Sequence, residues 1–143
     1  MDNGYATGRS NEGFEKIVTE ELIPFIDGRL RTMPEARNRA ISGLSMGGGQ
    51  ALTIGGNHPE LFGSIGALSA AARNFDVAKF KRPFRLLWIG CGTEDRLIEP
   101  ARKMHESLAL EKIDHEWWEG AGAHEWQVWR KHLQAMAPKL FRN

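Results

Sequence analysis

Four short apolar runs alternate with stretches of helical period, and this alternation restricts the fold of the chain more than any other feature. The runs are "RAIS", "FGSIGALSA", "FRLLWIGCG" and "DHEWWEG". Strands separated by helices cannot fold back as hairpins, so they lie parallel and need covering on both faces. The expected class is α/β, with a mostly parallel sheet of about four strands and helices on both faces. Residues 11–33 place Phe14, Ile17, Val18, Leu22, Phe25, Ile26 and Leu30 at mostly helical spacing, and Pro24 is expected to kink or split that helix. Further helices are predicted over 46–58, closing near Asn57 before Pro59, and over 97–112, where Leu97, Ala101, Met104, Leu108 and Ala109 share a face. A final helix is predicted over 124–141 and a short helix or turn over 75–81. The 143 residues suffice for one compact domain, so 1–143 is taken as a single domain.

Composition excludes several classes. Nineteen basic residues against eighteen acidic ones leave a net charge of +1, which gives no basis for a nucleic-acid surface. Cys91 is the single cysteine, so no internal disulfide framework exists. No window approaches the roughly 18 apolar residues of a membrane span, and the polar N-terminus lacks the apolar core of a signal peptide. A soluble chain is expected, its address open between the cytoplasm and secretion with a removed leader.

The stretch "NRAISGLSMGGGQALTIGG" (38–56) carries the chemistry. Gly43-Leu44-Ser45-Met46-Gly47 fits G-x-S-x-G between a predicted strand and a predicted helix, the pattern of a nucleophile elbow. The turn is expected to be so tight that residues two before and two after Ser45 must be nearly without side chain. The helix opening at Met46 points its backbone N–H groups at the same place, so the Met46 N–H is a candidate oxyanion donor. A serine hydroxyl needs a base to take its proton, and that base an acid to orient it. Asp95 follows the apolar strand "RLLWIG", and His124 lies in the small-residue loop "EGAGAHEW" at the mouth of the last helix, so all three sit at carboxyl ends of strands. Leu44 and Trp126, flanking Ser45 and His124, are the candidate substrate-contacting residues.

Other residues of the same types have plainer expectations. His58, His105, His115 and His132 are expected at the surface or as caps. Glu94 and Glu99 could supply the acid in place of Asp95. Ser42 and Ser69 fall in predicted strands, where they are expected to pack or bond within the sheet and to be dispensable for activity. Cys91 reads as a small core residue. Of the tryptophans in the tail, Trp117, Trp118 and Trp129 read mostly as core, while Trp126 is near enough to His124 to wall a pocket. No lysine follows the glycine cluster as a phosphate loop requires, "GCGTED" does not complete G-x-G-x-x-G, and "HEWQV" has Val128 where a zinc protease has its second histidine. No cofactor or metal is expected.

The stretches "ISGLSMGGGQALTIGGNHPELFGSIGALSAA", "CGTEDRLIEPARKMHESL" and "GAHEWQVWRKHL" together resemble the esterase D-type branch of the α/β-hydrolases, above all the feruloyl and acetyl-xylan esterases of carbohydrate esterase family 1. The likeness runs over nearly all of the chain. It implies Ser45 as nucleophile, Asp95 as acid and His124 as base, in hydrolysis of carboxylic esters without metal or cofactor. Members of that family usually run longer at the N-terminus, with further strands and an H-G-type loop that supplies a second oxyanion donor. By that resemblance the chain is a truncated α/β-hydrolase, with "MDNGYA" like the end of a preceding strand. A short-chain or aryl esterase is expected, with a thioesterase, an S-formylglutathione hydrolase or a catalytically weak remnant as the rivals. A homo-oligomer, most simply a dimer, is expected to cover the edge strand "NRAIS" or the long helix.

Overall fold

The computed structural model describes residues 9–72 and 75–142, so the expectation for "MDNGYA" lies outside the described residues. The chain divides into two compact units, residues 1–34 and 35–143.

The first unit contains a continuous helical run of three parts: α1 (Arg9–Lys16), a π-helical segment (Ile17–Leu22) and α2 (Ile23–Asp27). Pro24 neither breaks nor splits it. Proline has no N–H to give the carbonyl four residues back, and its ring crowds that carbonyl. The preceding residues wind wider instead, and the Ile23 N–H reaches the Val18 carbonyl five residues back. The run ends at Asp27, short of the predicted Met33. No residue of the π segment or of α2 is buried, and Phe14, Ile17, Leu22, Phe25, Leu30 and Met33 are exposed.

The second unit is the α/β body. Strands β1 (Ala40–Leu44), β2 (Ser64–Leu68), β3 (Leu86–Gly92) and β4 (Glu116–Gly120) form one parallel sheet in the order β1-β2-β3-β4. Among the described residues, β1 and β4 are its edges. Every residue of β2 and β3 is buried, as expected of strands covered on both faces. Alternation divides the core. Ile65, Ala67, Leu87 and Ile89 face α3 (Met46–Asn57) and α4 (Ile98–Leu110) through Leu52, Met104 and Leu108. Leu68, Leu86 and Trp88 face the other way, toward α5 (Trp126–Met136) through Met136. Helices thus lie on both faces, α3 and α4 on one and α5 on the other. The last predicted helix is trimmed at both ends: His124 precedes α5 in a loop, and Ala137–Lys139 around Pro138 tighten into a 3₁₀ turn.

Candidate active site

The elbow is built by β1 running into α3 with one residue between them. That residue, Ser45, has φ 55° and ψ −119°, a conformation that costs a residue with a side chain roughly 1–3 kcal/mol. Neighbouring backbone holds it there. The Ser45 N–H donates to the Leu68 carbonyl (2.9 Å), and the Ser45 carbonyl accepts from Ala71 (2.9 Å) and Gly49 (3.2 Å). The end of β2 therefore clamps the strained residue from both sides. A Cβ at Gly43 would fall on the Gly47 backbone, so glycine is obligatory there. Gly47 differs from expectation: a Cβ on it would meet no atom within 4 Å. Crowding falls on the strand side of the turn, because Gly47 already lies in the opening helical turn, where Cβ points away.

Two further loops supply the partners. Beyond β3 and β4 they are stitched together by Thr93 N–H to the Gly120 carbonyl (2.9 Å) and Glu94 N–H to the Gly122 carbonyl (3.0 Å). The approach is so close that a Cβ on Gly92 would strike Gly122, which itself has φ +125°. This juxtaposition brings Asp95 to His124. The imidazole Nδ1 lies 2.8 Å from Asp95 Oδ2, and Nε2 lies 2.9 Å from Ser45 Oγ. With Nδ1–H donated to the carboxylate, Nε2 keeps the lone pair that accepts the serine hydroxyl.

Asp95 is 2% exposed. Burial alone would raise its pKa, but hydrogen bonds from the Leu97 N–H, the Ser69 hydroxyl and His124 outweigh that and hold it below the usual carboxylate value. The Leu97 N–H lies 2.9 Å from Asp95 Oδ1. Glu94 and Glu99 do not share this place; Glu99 instead pairs with Arg102 at 2.7 Å. The Met46 N–H opens α3 and has no acceptor within the helix. Leu44 turns away to the Leu68–Trp88 cluster. Trp126 is 64% exposed and packs edge-on against Trp129 at 5.2 Å, and it is Trp129 that packs edge-on against His124 at 5.0 Å.

Several plainer expectations need correcting. His132 is fully buried between Trp88 and Trp118, and neither ring nitrogen has a hydrogen-bond partner. Its place on α5 turns it toward the sheet. Burial pushes its pKa down to about 4. His105 and His115 are half-buried and bonded to each other at 2.7 Å, with His105 stacked on Trp117. Ser69 lies one residue beyond β2 with φ +44° and accepts the Trp129 Nε1–H at 3.1 Å. Sequence reasoning missed both Ser69 and Trp129 as neighbours of the site. The rule that found Asp95 and His124 at strand ends would have found Ser69, had β2 been stopped at Leu68. Cys91 is buried in β3, and burial pushes its thiol up to about 12.

Among the described residues no cluster of three or more His, Cys, Asp or Glu side chains could hold a metal ion, and no helix is long and apolar enough to cross a membrane. A cleft of about 460 Å³ lies at the opposite end of the sheet, between residues 80–84 and 111–114, and contains none of the three residues above.

Comparison with known proteins agrees with this architecture. The chain is 36% identical over 132 residues to an endo-1,4-beta-xylanase/feruloyl esterase of Xylanibacter ruminicola, covering 92% of this chain and 18% of that protein. It is 25% identical over 164 residues to an acetyl esterase of Caldicellulosiruptor saccharolyticus, covering 85% of this chain and 61% of the other. Its fold superimposes on a CE1 ferulic acid esterase of Anaeromyces mucronatus with a TM-score of 0.83 at 21% identity, over 95% of this chain and 57% of that one. The chain thus spans less than two thirds of each of these proteins. The model of the family described as "Putative esterase" matches residues 2–88, a span that runs through the elbow and ends within β3. With more than half of its length matched by that model, the chain belongs to this esterase family.

Proposed function

We propose that the chain hydrolyses carboxylic esters through Ser45, His124 and Asp95. The observation that carries this is the hydrogen-bonded line from Ser45 Oγ through both nitrogens of His124 to a buried carboxylate. Ser45 Oγ attacks the acyl carbon while its proton passes to Nε2, and Asp95 stabilises the imidazolium so formed. Negative charge gathers on the former carbonyl oxygen, where the Met46 N–H and the opening turn of α3 lower its energy. Collapse expels the alkoxide with the proton from Nε2 and leaves an acyl group on Ser45. His124 then deprotonates a water, which releases the acid and restores the serine.

Short-chain and aryl esters are the proposed substrates. Met46, 52% exposed, directly follows Ser45 and offers apolar surface for a small acyl or aromatic group to cover, and Trp126, two residues after His124, is a further exposed aromatic. Hydrolysis of a p-nitrophenyl ester series, alongside matched thioesters and S-formylglutathione, tests both chemistry and class. Ester turnover lost in Ser45→Ala is expected; retention of most turnover in that variant overturns the assignment, and faster thioester turnover overturns the substrate class. We also infer that the chain forms a homo-oligomer, most simply a dimer that covers the long helix or the edge of β1, which has no partner strand on that side among the described residues. Light scattering at micromolar concentration checks this, and a strict monomer refutes it.

A further inference from the structure

We propose that Ser69 and Trp129 are positioning residues that hold the Asp95 carboxylate and the His124 ring in line with one another. The inference rests on the esterase reading only for its kinetic consequence. Its structural content stands on a chain of contacts outside the three reacting residues. The Trp129 Nε1–H donates to Ser69 Oγ at 3.1 Å, and the Ser69 hydroxyl in turn hydrogen-bonds the Asp95 carboxylate. The same indole sets its ring edge-on to His124, at 5.0 Å and 89°. One side chain therefore touches His124 directly and reaches Asp95 through a single hydroxyl.

That hydroxyl serves as donor and acceptor at once. A serine oxygen has one proton to give and two lone pairs to fill. The proton goes to Asp95 and one lone pair takes the Trp129 N–H. Ser69 is 0% exposed, so solvent does not reach the place its hydroxyl fills. Removing the hydroxyl leaves an indole N–H unpaired and deprives the carboxylate of a donor. Asp95 then keeps the Leu97 N–H on Oδ1 and the His124 ring on Oδ2 but loses a third partner that fixes its orientation.

The backbone supplies an independent reason to look for a role in this side chain. Ser69 sits at φ +44°, with its N–H bound to the Gly90 carbonyl at 2.7 Å. A glycine would adopt this conformation at lower cost. The chain carries a strained serine at the carboxyl end of β2, beside the strand ends that bear Ser45 and Asp95. Strain of this kind is tolerated where a side chain is needed in one place.

The strain makes Ser69→Gly the informative variant, because it removes the hydroxyl and relieves the backbone together. A packing residue and a positioning residue then give opposite results. If Ser69 positions Asp95, kcat for a p-nitrophenyl ester falls about 10- to 100-fold with KM within about twofold, while the thermal midpoint holds or rises. The low-field proton resonance of His124 Nδ1–H, read without substrate, is expected to move upfield or broaden away. Trp129→Phe keeps a ring against His124 and deletes the N–H, and is expected to lower kcat about 2- to 10-fold in the same direction. Wild-type kcat in Ser69→Gly, or a lowered kcat with the His124 resonance unmoved, overturns the proposal. A wild-type chain without esterase activity would defeat the esterase reading, and the resonance in Ser69→Gly would then decide the positioning role by itself.

Discussion

The loop ahead of α5 and the buried face of α5 each present a histidine, and the two are treated in opposite ways. His124, with a side chain 22% exposed, has a partner on each nitrogen, an acid on one side and a hydroxyl on the other. His132, two turns further on, is wholly enclosed between indoles and has a partner on neither. A ring with a donor on one nitrogen and an acceptor on the other is prepared to move a proton. A ring in an apolar box is held neutral by the cost of charging it there. Residue type alone does not make a base; the polarity of its surroundings does.

The largest expected effect lies at the first region. Ser45→Ala and His124→Ala should each lower kcat roughly 10⁴- to 10⁶-fold with little change in thermal midpoint, because the three groups act as a unit. If His132→Phe removed activity to the same degree, the contrast between the two histidines would be broken. Asp95→Asn comes next, at roughly 10⁴-fold, since an amide cannot hold the imidazole in the required tautomer or stabilise its charge. A loss under tenfold would move the acid's role to another carboxylate, and kinetics of Glu94→Gln and Glu99→Gln would identify it.

Stability against pH sharpens the second region. The folded-state value of His132 is pushed down to about 4 from 6.5, so its neutral form belongs to the folded chain. Below 6.5 the unfolded chain takes up the proton first, and stability falls as pH drops from 6.5 toward 4, by up to about 3 kcal/mol. Asp95, held below its ordinary value, adds a loss at still lower pH, as its stabilising charge is protonated. Denaturant titrations of His132→Phe between pH 7 and 4 should show a flatter decline than wild type; an equal slope would mean that the ring is not the acid-sensitive group. The smallest effect belongs to Cys91, whose thiol value is pushed up to about 12. A thiol reagent should leave activity unchanged in the native protein and react only on unfolding; prompt inactivation would give β3 a reactive nucleophile.

The sequence by itself determined the class of fold and pointed to Ser45, Asp95 and His124 as candidates for the chemistry. Four apolar runs between helical stretches permit little besides a covered parallel sheet, and a serine between strand and helix requires an acid and a base at other strand ends. These are local signals, carried by spacing within one element and by the residue that follows it. What tertiary structure alone decided depends on contacts across many residues. The sheet order placed the loops after β3 and β4 side by side, so that Asp95 and not Glu94 meets His124. Packing of α5 on the sheet turned His132 inward and brought Trp129 onto Ser69, 60 positions away. The widened helix before Pro24 and the freedom at Gly47 were likewise beyond the pattern, since both depend on where a ring or a Cβ points once the backbone is closed. Periodicity reports which face of an element is apolar, whereas the partner of a polar atom is chosen only when separate elements come together in space.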